Sequence, residues 1–199
     1  MKRERTRAML IETSLKVVAQ RGFDAPTIDD FISAADVARG TFYNYFQTKD
    51  ELLTAMAGHV ADVIDAQILP RFVGIDDPAR RIAIAIHSFI RISSQDPDWG
   101  WILVRSLPHA GGGWSEEMRR GVLADIRRGR RIGRFRIASV QAAVALGIGT
   151  LGAAIRTVLV ERTPTDFSRQ IVAMTLQGLG VTPREAEEVA ALPLPEPRE

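Results

Sequence analysis

The sequence contains no cysteine and only three histidines in 199 residues. Without thiols there are no disulfides and no thiolate metal sites, which fits a reducing, cytoplasmic setting. His59, His87 and His109 are too scattered for a metal-ligand pattern, and no Ser-His-acid or Cys-His spacing marks a nucleophile. No enzyme, metal or cofactor is therefore expected. No stretch sustains the apolar/polar alternation with β-branched residues that builds a sheet. Met1 is followed by Lys2, Arg3, Glu4, Arg5 and Arg7 rather than an apolar leader core, so export is not expected. The longest uncharged run, Ile137 to Ile155, approaches the roughly 20 residues that span a bilayer. It holds Ser139, Gln141 and Thr150 among many Ala and Gly, and reads as a buried helix rather than a membrane segment.

Net charge is scarce too. A formal +2 is too small to attract a polyanion by bulk electrostatics, so any such affinity must come from where charges sit. One concentration is the Lys2 to Arg7 arm. The other is Arg119 to Arg136, where eight arginines face one acid, Asp125. That segment reads first as a solvated helix face with cations near its C-terminus. Contact with phosphates or with an acidic ligand are the alternatives.

What the chain does have is helical periodicity from end to end, so the fold class is all-α. A first helix over about Arg3 to Arg21 carries Ala8, Ile11, Leu15 and Val18 on one face and stops at Gly22. Thr27 with Asp30, and Thr48 with Glu51, have the spacing of capping boxes. The second opens a long helix through Leu53, Met56, Val60 and Ile64 to Pro70. Asp77-Pro78 starts another helix, with Ile82, Ile86 and Phe89 as its stripe, ending before Asp96-Pro97. Trp99 to Gly113 reads as a short helix and a loop. Ser115-Glu116-Glu117 starts the arginine-rich helix, which is expected to break near Gly129 or Gly133. Thr163-Pro164 and Thr182-Pro183 open the last two helices, and Leu192 to Pro197 is an extended tail. The domain boundary falls at Thr48: residues 1–47 form a small three-helix unit and 48–199 a larger bundle.

The most informative stretch runs from Thr27 to Lys49, two short helices around a tight turn. A steep crossing needs a turn residue that tolerates a left-handed backbone, and Asp36 is such a residue. Phe31, Ala35, Val37, Phe42 and Tyr45 then point inward. Arg39, Gly40, Thr41, Tyr43 and Asn44 are left at the start and exposed face of the second helix, as a DNA recognition helix requires. Arg39 suits guanine or phosphate, Asn44 adenine, Thr41 a thymine methyl, and Tyr43 a phosphate or an apolar base edge. Gly40 permits close backbone approach. Thr27 and Lys49, at neighbouring helix starts, suit phosphate clamping.

On these residues the chain resembles the TetR family of transcriptional regulators. The resemblance covers Thr6-Arg-Ala-Met-Leu-Ile-Glu-Thr-Ser-Leu15, Gly22-Phe23, Thr27-Ile28, Ala34-Ala35-Asp36-Val37, Gly40-Thr41-Phe42-Tyr43, Tyr45-Phe46 and Lys49 to Leu53. Weaker echoes lie at Gly129 to Phe135 and Gly178 to Ala186. The family usually has Gly where Asp36 stands and Ser where Ala38 stands. The turn is therefore somewhat strained, and the recognition helix lacks a side-chain cap worth about 1 kcal/mol. Phe31-Ile32 also replaces the commoner Ile-Ala pair.

The resemblance implies a homodimer whose two recognition helices read a palindromic double-stranded DNA operator. It also implies a C-terminal domain that binds a small molecule. Soft and aromatic residues in the second domain suit a small apolar or aromatic effector, with Phe89, Trp99, Trp101, Trp114 and Met118 as lining and His87 as polar contact. Core filling by the same residues is the other reading. The helix Val140 to Val160, rich in Gly and Ala and apolar nearly all round, is the candidate subunit interface. Gly147, Leu151 and Ile155 are placed there, with Phe167, Ile171 and Met174 on the next helix completing a four-helix bundle across a twofold axis. The function expected is a repressor released from DNA by its ligand. Alternatives are a regulator controlled by a protein partner, an activator, or a carrier or enzyme with an inactive head.

Overall fold

A computed structural model describes residues 2–22, 25–106 and 115–197. Among these there are ten α-helices, one 3-10 turn and no strand, as the periodicity requires. The helices are α1 (Lys2–Arg21), α2 (Ile28–Ala34), α3 (Arg39–Tyr43), α4 (Lys49–Ile68), α5 (Pro78–Gln95), α6 (Pro97–Ser106), α7 (Glu116–Arg131), α8 (Val140–Val160), α9 (Phe167–Gly178) and α10 (Pro183–Ala190). The 3-10 turn, Leu69–Phe72, continues α4 across Pro70.

Helix ends follow the local chemistry. Gly22 takes φ 76° after α1, a left-handed backbone that suits glycine. Thr27 and Asp30 form the reciprocal capping box of α2, and Thr48 accepts from the Glu51 N–H to start α4. Asp77 accepts from the Ala79 N–H in front of Pro78. α7, by contrast, does not break at Gly129 but runs on to Arg131, and the chain turns at Gly133 with φ 75°. Gly129 is a packing residue: a Cβ there would lie 2.1 Å from the ring of buried Phe135, whose N–H donates to the Gly129 carbonyl. α9 also starts later than Thr163-Pro164 suggests, because the Pro164 carbonyl accepts from the Phe167 N–H in a tight turn.

The buried side chains fall into two clusters. The first holds Leu10, Ile11, Val17 and Val18 of α1, Phe31 and Ala35, Phe42 and Phe46, and Leu52 and Met56 of α4. The second is built around α5, which packs against α6, α7, α8, α9 and α10, and takes Ala57, Val60, Ile64 and Ile68 from the same α4. The expected boundary at Thr48 thus coincides with a helix cap, while the helix it opens serves both cores. α8 is only half the buried helix expected. Ala143, Leu151, Ala154 and Ile155 face inward, and Ala142, Leu146, Gly149, Ala153 and Val160 form an exposed stripe.

One buried group opposes stability. Asp65 on α4 is 4% exposed; its Oδ2 accepts from the Ser115 hydroxyl and its Oδ1 has no hydrogen-bond partner. Burial pushes its carboxyl from an ordinary 3.8 up to about 6, against the Ser115 hydrogen bond and with help from Asp62 and Glu117. A raised folded-state pKa penalises the ionised form. The penalty is absent below the unfolded value, grows between the two and is complete above the folded value. Asp65→Asn keeps an acceptor for Ser115, and is expected to stabilise the protein by about 1–3 kcal/mol near pH 7.5. The gain should vanish toward about pH 4. Denaturant unfolding across this range measures it, and a gain independent of pH would show that the carboxylate charge is not its source.

Candidate nucleic-acid interface and ligand cavity

The turn between α2 and α3 is made by Asp36, at φ 49° the one non-glycine residue with positive φ among the described residues. With that turn set, Phe31 and Phe42 are fully buried and lock the two helices, whereas Val37 and Tyr45 are only half-buried. Ala38 begins α3 with no side-chain cap, as its side chain dictates. Arg39, Gly40 and Asn44 are exposed and Thr41 and Tyr43 half-exposed, so the five residues share an accessible surface. The Tyr43 ring rests edge-on against Phe42, with centroids 5.7 Å apart. Space beyond Gly40 is open for 4 Å.

The flanking contacts differ from the expectation. The Thr27 hydroxyl donates to Asp30 Oδ2 at 2.7 Å and its N–H reaches the same oxygen at 2.7 Å, so both donors are taken up in capping α2. Lys49 donates to the Pro26 carbonyl at 2.7 Å and fixes the approach to α2. Arg39 is held by Asp29 of α2 in an exposed pair, which water renders weak and exchangeable. Arg3 and Arg7 of α1 lie beside this face: Arg3 and Thr6 share a shallow cleft with Thr41 and Asn44, and the Arg7 guanidinium sits 5.4 Å from the Phe46 ring centre. The basic arm is conspicuous in the sequence, but its place beside α3 depends on how α1 packs.

In the bundle, α5, α7, α8, α9 and the 3-10 turn enclose a cavity of about 170 Å³. Phe89 and Met118 line it as expected, joined by Phe72, Ile82, Ile86, Val122 and Ile148. Its charged lining is a pair between Arg81 and Asp125, together with Glu117 of α7. Arg81 Nε reaches the two carboxylate oxygens at 2.8 and 3.0 Å, and the guanidinium lies 4.3 Å from the Phe72 ring centre. Burial raises the Asp125 carboxyl above its usual range, while Arg81 and then Arg128 oppose the shift. Asp125 is the lone acid of the arginine-rich segment. Its spacing from Met118 and Val122, seven and three residues, puts all three on one face of α7.

Other expected lining residues lie elsewhere. His87 faces the other side of α5: its Nδ1 is 2.6 Å from the Ser168 hydroxyl and its Nε2 is 3.1 Å from the Ala190 carbonyl. Burial lowers its pKa, so the neutral ring ties α5 to α9 and α10. Trp99 packs half-buried on the core, and Trp101 lies under the Arg156 guanidinium at 6.0 Å; neither lines the cavity, because α6 packs on α4, α5 and α8. Trp114 lies outside the described residues, as does His109.

The expected interface residues also divide. Gly147 and Leu151 line the cavity and Ile155 is fully buried, since they occupy the inward face of α8. Phe167 and Ile171 are half-buried against the core, while Met174 is 68% exposed. The arginines of the 119–136 segment are mixed. Arg119 and Arg120 pair with Glu116, Arg128 is 3.8 Å from Asp76, and Arg134 reaches Asp77 at 3.0 Å.

A helix-turn-helix head with an exposed recognition face, carried on a helical bundle that encloses an apolar cavity, defines a transcriptional regulator of the DNA-binding, ligand-sensing kind. The family model of bacterial regulatory proteins of the tetR family matches residues 10–56, and that of the tetracyclin repressor-like C-terminal domain matches residues 77–192. The chain belongs to the TetR family. Among curated relatives, the transcriptional regulator LuxR of Vibrio harveyi is 32% identical over 106 residues, 49% of this chain and 51% of that protein. The transcriptional repressor LfrR of Mycolicibacterium smegmatis is 38% identical over 68 residues, 33% of this chain and 34% of that protein. The chain spans about half or less of the length of the curated relatives it matches. Among solved structures, RolR in complex with resorcinol is 30% identical with a TM-score of 0.76, covering 99% of this chain and 98% of that one. RolR without ligand gives 0.80 at 30% identity, covering 96% and 98%.

Proposed function

We propose that this chain is a cytoplasmic, homodimeric repressor that reads a palindromic operator through α3 and releases it when a small aromatic molecule enters the cavity. The observation that carries the reading is the pairing, in one chain, of an open α3 face with a walled apolar cavity, joined by a helix buried in both cores. Arg39, Thr41, Tyr43 and Asn44 are the base-edge and phosphate contacts, with Gly40 allowing close approach and Arg3 and Arg7 adding phosphate contacts. Thr27 and Lys49 support this face by holding the start of α2.

The cavity argues for the size and polarity of the effector. An engineered apolar cavity of about 150 Å³ accommodates benzene, so about 170 Å³ suits a single substituted ring. Asp125, held as an acceptor by Arg81, is matched by a ring hydroxyl. The likeness to RolR, bound to resorcinol, supports a phenolic effector. The exposed stripe of α8 with Met174 of α9 is the surface on which a second copy would pack, small residues at Gly149 and Ala153 allowing close approach of the helices.

Fluorescence-anisotropy binding to the DNA upstream of the protein's own gene tests the DNA reading. Saturable, salt-dependent binding is expected, and Arg39→Ala should weaken it roughly 10- to 100-fold, or about 1–3 kcal/mol. Equal affinity for random DNA, or indifference to Arg39→Ala, would count against it. For the cavity, resorcinol and phenol should raise the melting temperature, and Asp125→Ala should weaken their binding by roughly tenfold or more. Equal binding of anisole, which lacks the hydroxyl proton, would remove the role given to Asp125. Ala153→Glu, placing a charge in the α8 stripe, should convert the dimer to a monomer in sedimentation at micromolar concentration. A monomeric wild type would refute the dimer.

A further inference from the structure

Asp65 buries a carboxylate with one oxygen unpartnered, at a place that joins two parts of the molecule. It lies on the half of α4 that belongs to the bundle, between Ile64 and Ile68, while Leu52 and Met56 of the same helix are buried in the head. Its Oδ2 accepts the proton of the Ser115 hydroxyl. The Ser115 oxygen in turn accepts from the Met118 N–H at 3.0 Å, so one side chain both caps α7 and holds α4. Met118 is 1% exposed and lines the cavity, with Val122 and Asp125 following on the same face. α7 packs mainly against α5 and α8, and α4 against α1, α5, α6 and the 3-10 turn. The Asp65–Ser115 bond thus ties together two helices whose packing lies elsewhere.

Two apolar side chains would join α4 to α7 at less cost than a buried carboxylate with one oxygen unpartnered. Such a departure from good packing is expected where a contact must differ between two states. We propose that the Asp65–Ser115 hydrogen bond conveys occupancy of the cavity to the DNA-binding head. Both are positioning residues that touch neither effector nor DNA. The inference rests on the effector-controlled release proposed above. A ring filling the cavity presses on Met118 and displaces the first turn of α7. Ser115 moves with that turn, and Asp65 carries the displacement into α4, whose Leu52 and Met56 set the attitude of α2 and α3. The bond matters to release only because it is made differently in the occupied and empty states.

The test uses the full chain with resorcinol as probe, in wild type, Ser115→Gly, Asp65→Ala and Asp65→Asn. Glycine begins helices nearly as well as serine, so Ser115→Gly removes the tie while α7 persists, as the helical circular-dichroism signal checks. Calorimetry gives resorcinol affinity, and anisotropy gives operator affinity with and without saturating resorcinol. Wild type is expected to lose about tenfold or more in operator affinity on adding resorcinol. Ser115→Gly and Asp65→Ala should bind resorcinol and free operator within about threefold of wild type, yet lose less than about twofold on adding resorcinol. Asp65→Asn, which retains an acceptor, should keep the wild-type response.

An undiminished response in Ser115→Gly and Asp65→Ala overturns this inference and leaves the effector reading intact. Loss of operator or resorcinol affinity itself in those variants overturns it in favour of a merely structural tie. A wild type that binds operator but ignores resorcinol overturns the effector reading and this inference with it.

Discussion

The burial of α4 in two separate cores is the constraint on which the other relations in this molecule depend. Leu52 and Met56 are inaccessible within the head, and Val60, Ile64 and Ile68 are equally inaccessible within the bundle. Each such side chain contributes about 1.5–3 kcal/mol by leaving water, so neither domain can release the helix without losing much of its own stability. A long helix anchored this firmly at both ends moves as one body. The head is therefore not tethered by a flexible linker, and its orientation is a property of the bundle. That arrangement gives a change at the cavity a mechanical route to α3 through α4, with no contact needed between the two sites.

Polar groups in the bundle are spent on joints rather than on the bulk of the core. Arg81 reaches Asp125 across α5 and α7, Arg134 meets Asp77 at the cap of α5, and neutral His87 links α5 to α9 and α10. The segment that looks like a uniform basic run is thus two populations. Arg134, largely shielded, makes a specific joint, and Asp125, the segment's one acid, pairs with Arg81 of α5. Arg127, Arg130 and Arg131 form a solvated face at the C-terminal end of α7, where the helix dipole favours cations.

Legibility in the sequence tracks how local the determining physics is. The capping box at Thr27, the Thr48 cap, the Asp36 turn and the exposure of Arg39, Gly40 and Asn44 follow from residues a few positions apart and stand in the structure, except that the Glu51 carboxylate accepts from the Gln47 N–H and leaves the second box one-sided. The cavity does not, because it depends on which face of α5, α7 and α8 meets which neighbour. α8 is apolar nearly all round, so its periodicity does not choose a face; Gly147, Leu151 and Ile155 look like interface residues and lie inside the subunit. Trp99 and Trp101 draw attention by size, yet α6 carries them away from the cavity. Asp125, a single acid among arginines at helical spacing from Met118, was the signal for the polar end of the cavity. Gly129 resembles a helix breaker until the Phe135 ring is found where its side chain would be.

The chain beyond α10 is held by residues far behind it. Arg80 donates to the Leu192 and Pro193 carbonyls and Arg71 to the Pro195 carbonyl, while His87 meets Ala190. These contacts close loops of more than a hundred residues, whereas the head is finished by contacts within its own first segment. During synthesis, the DNA-binding unit has all its partners once α4 has emerged from the ribosome. The sensing bundle must wait for the last helix and tail. For that interval the nascent chain presents the core residues of the head without those of the bundle, and the waiting apolar faces of α4 and α5 are the surfaces most in need of protection from aggregation.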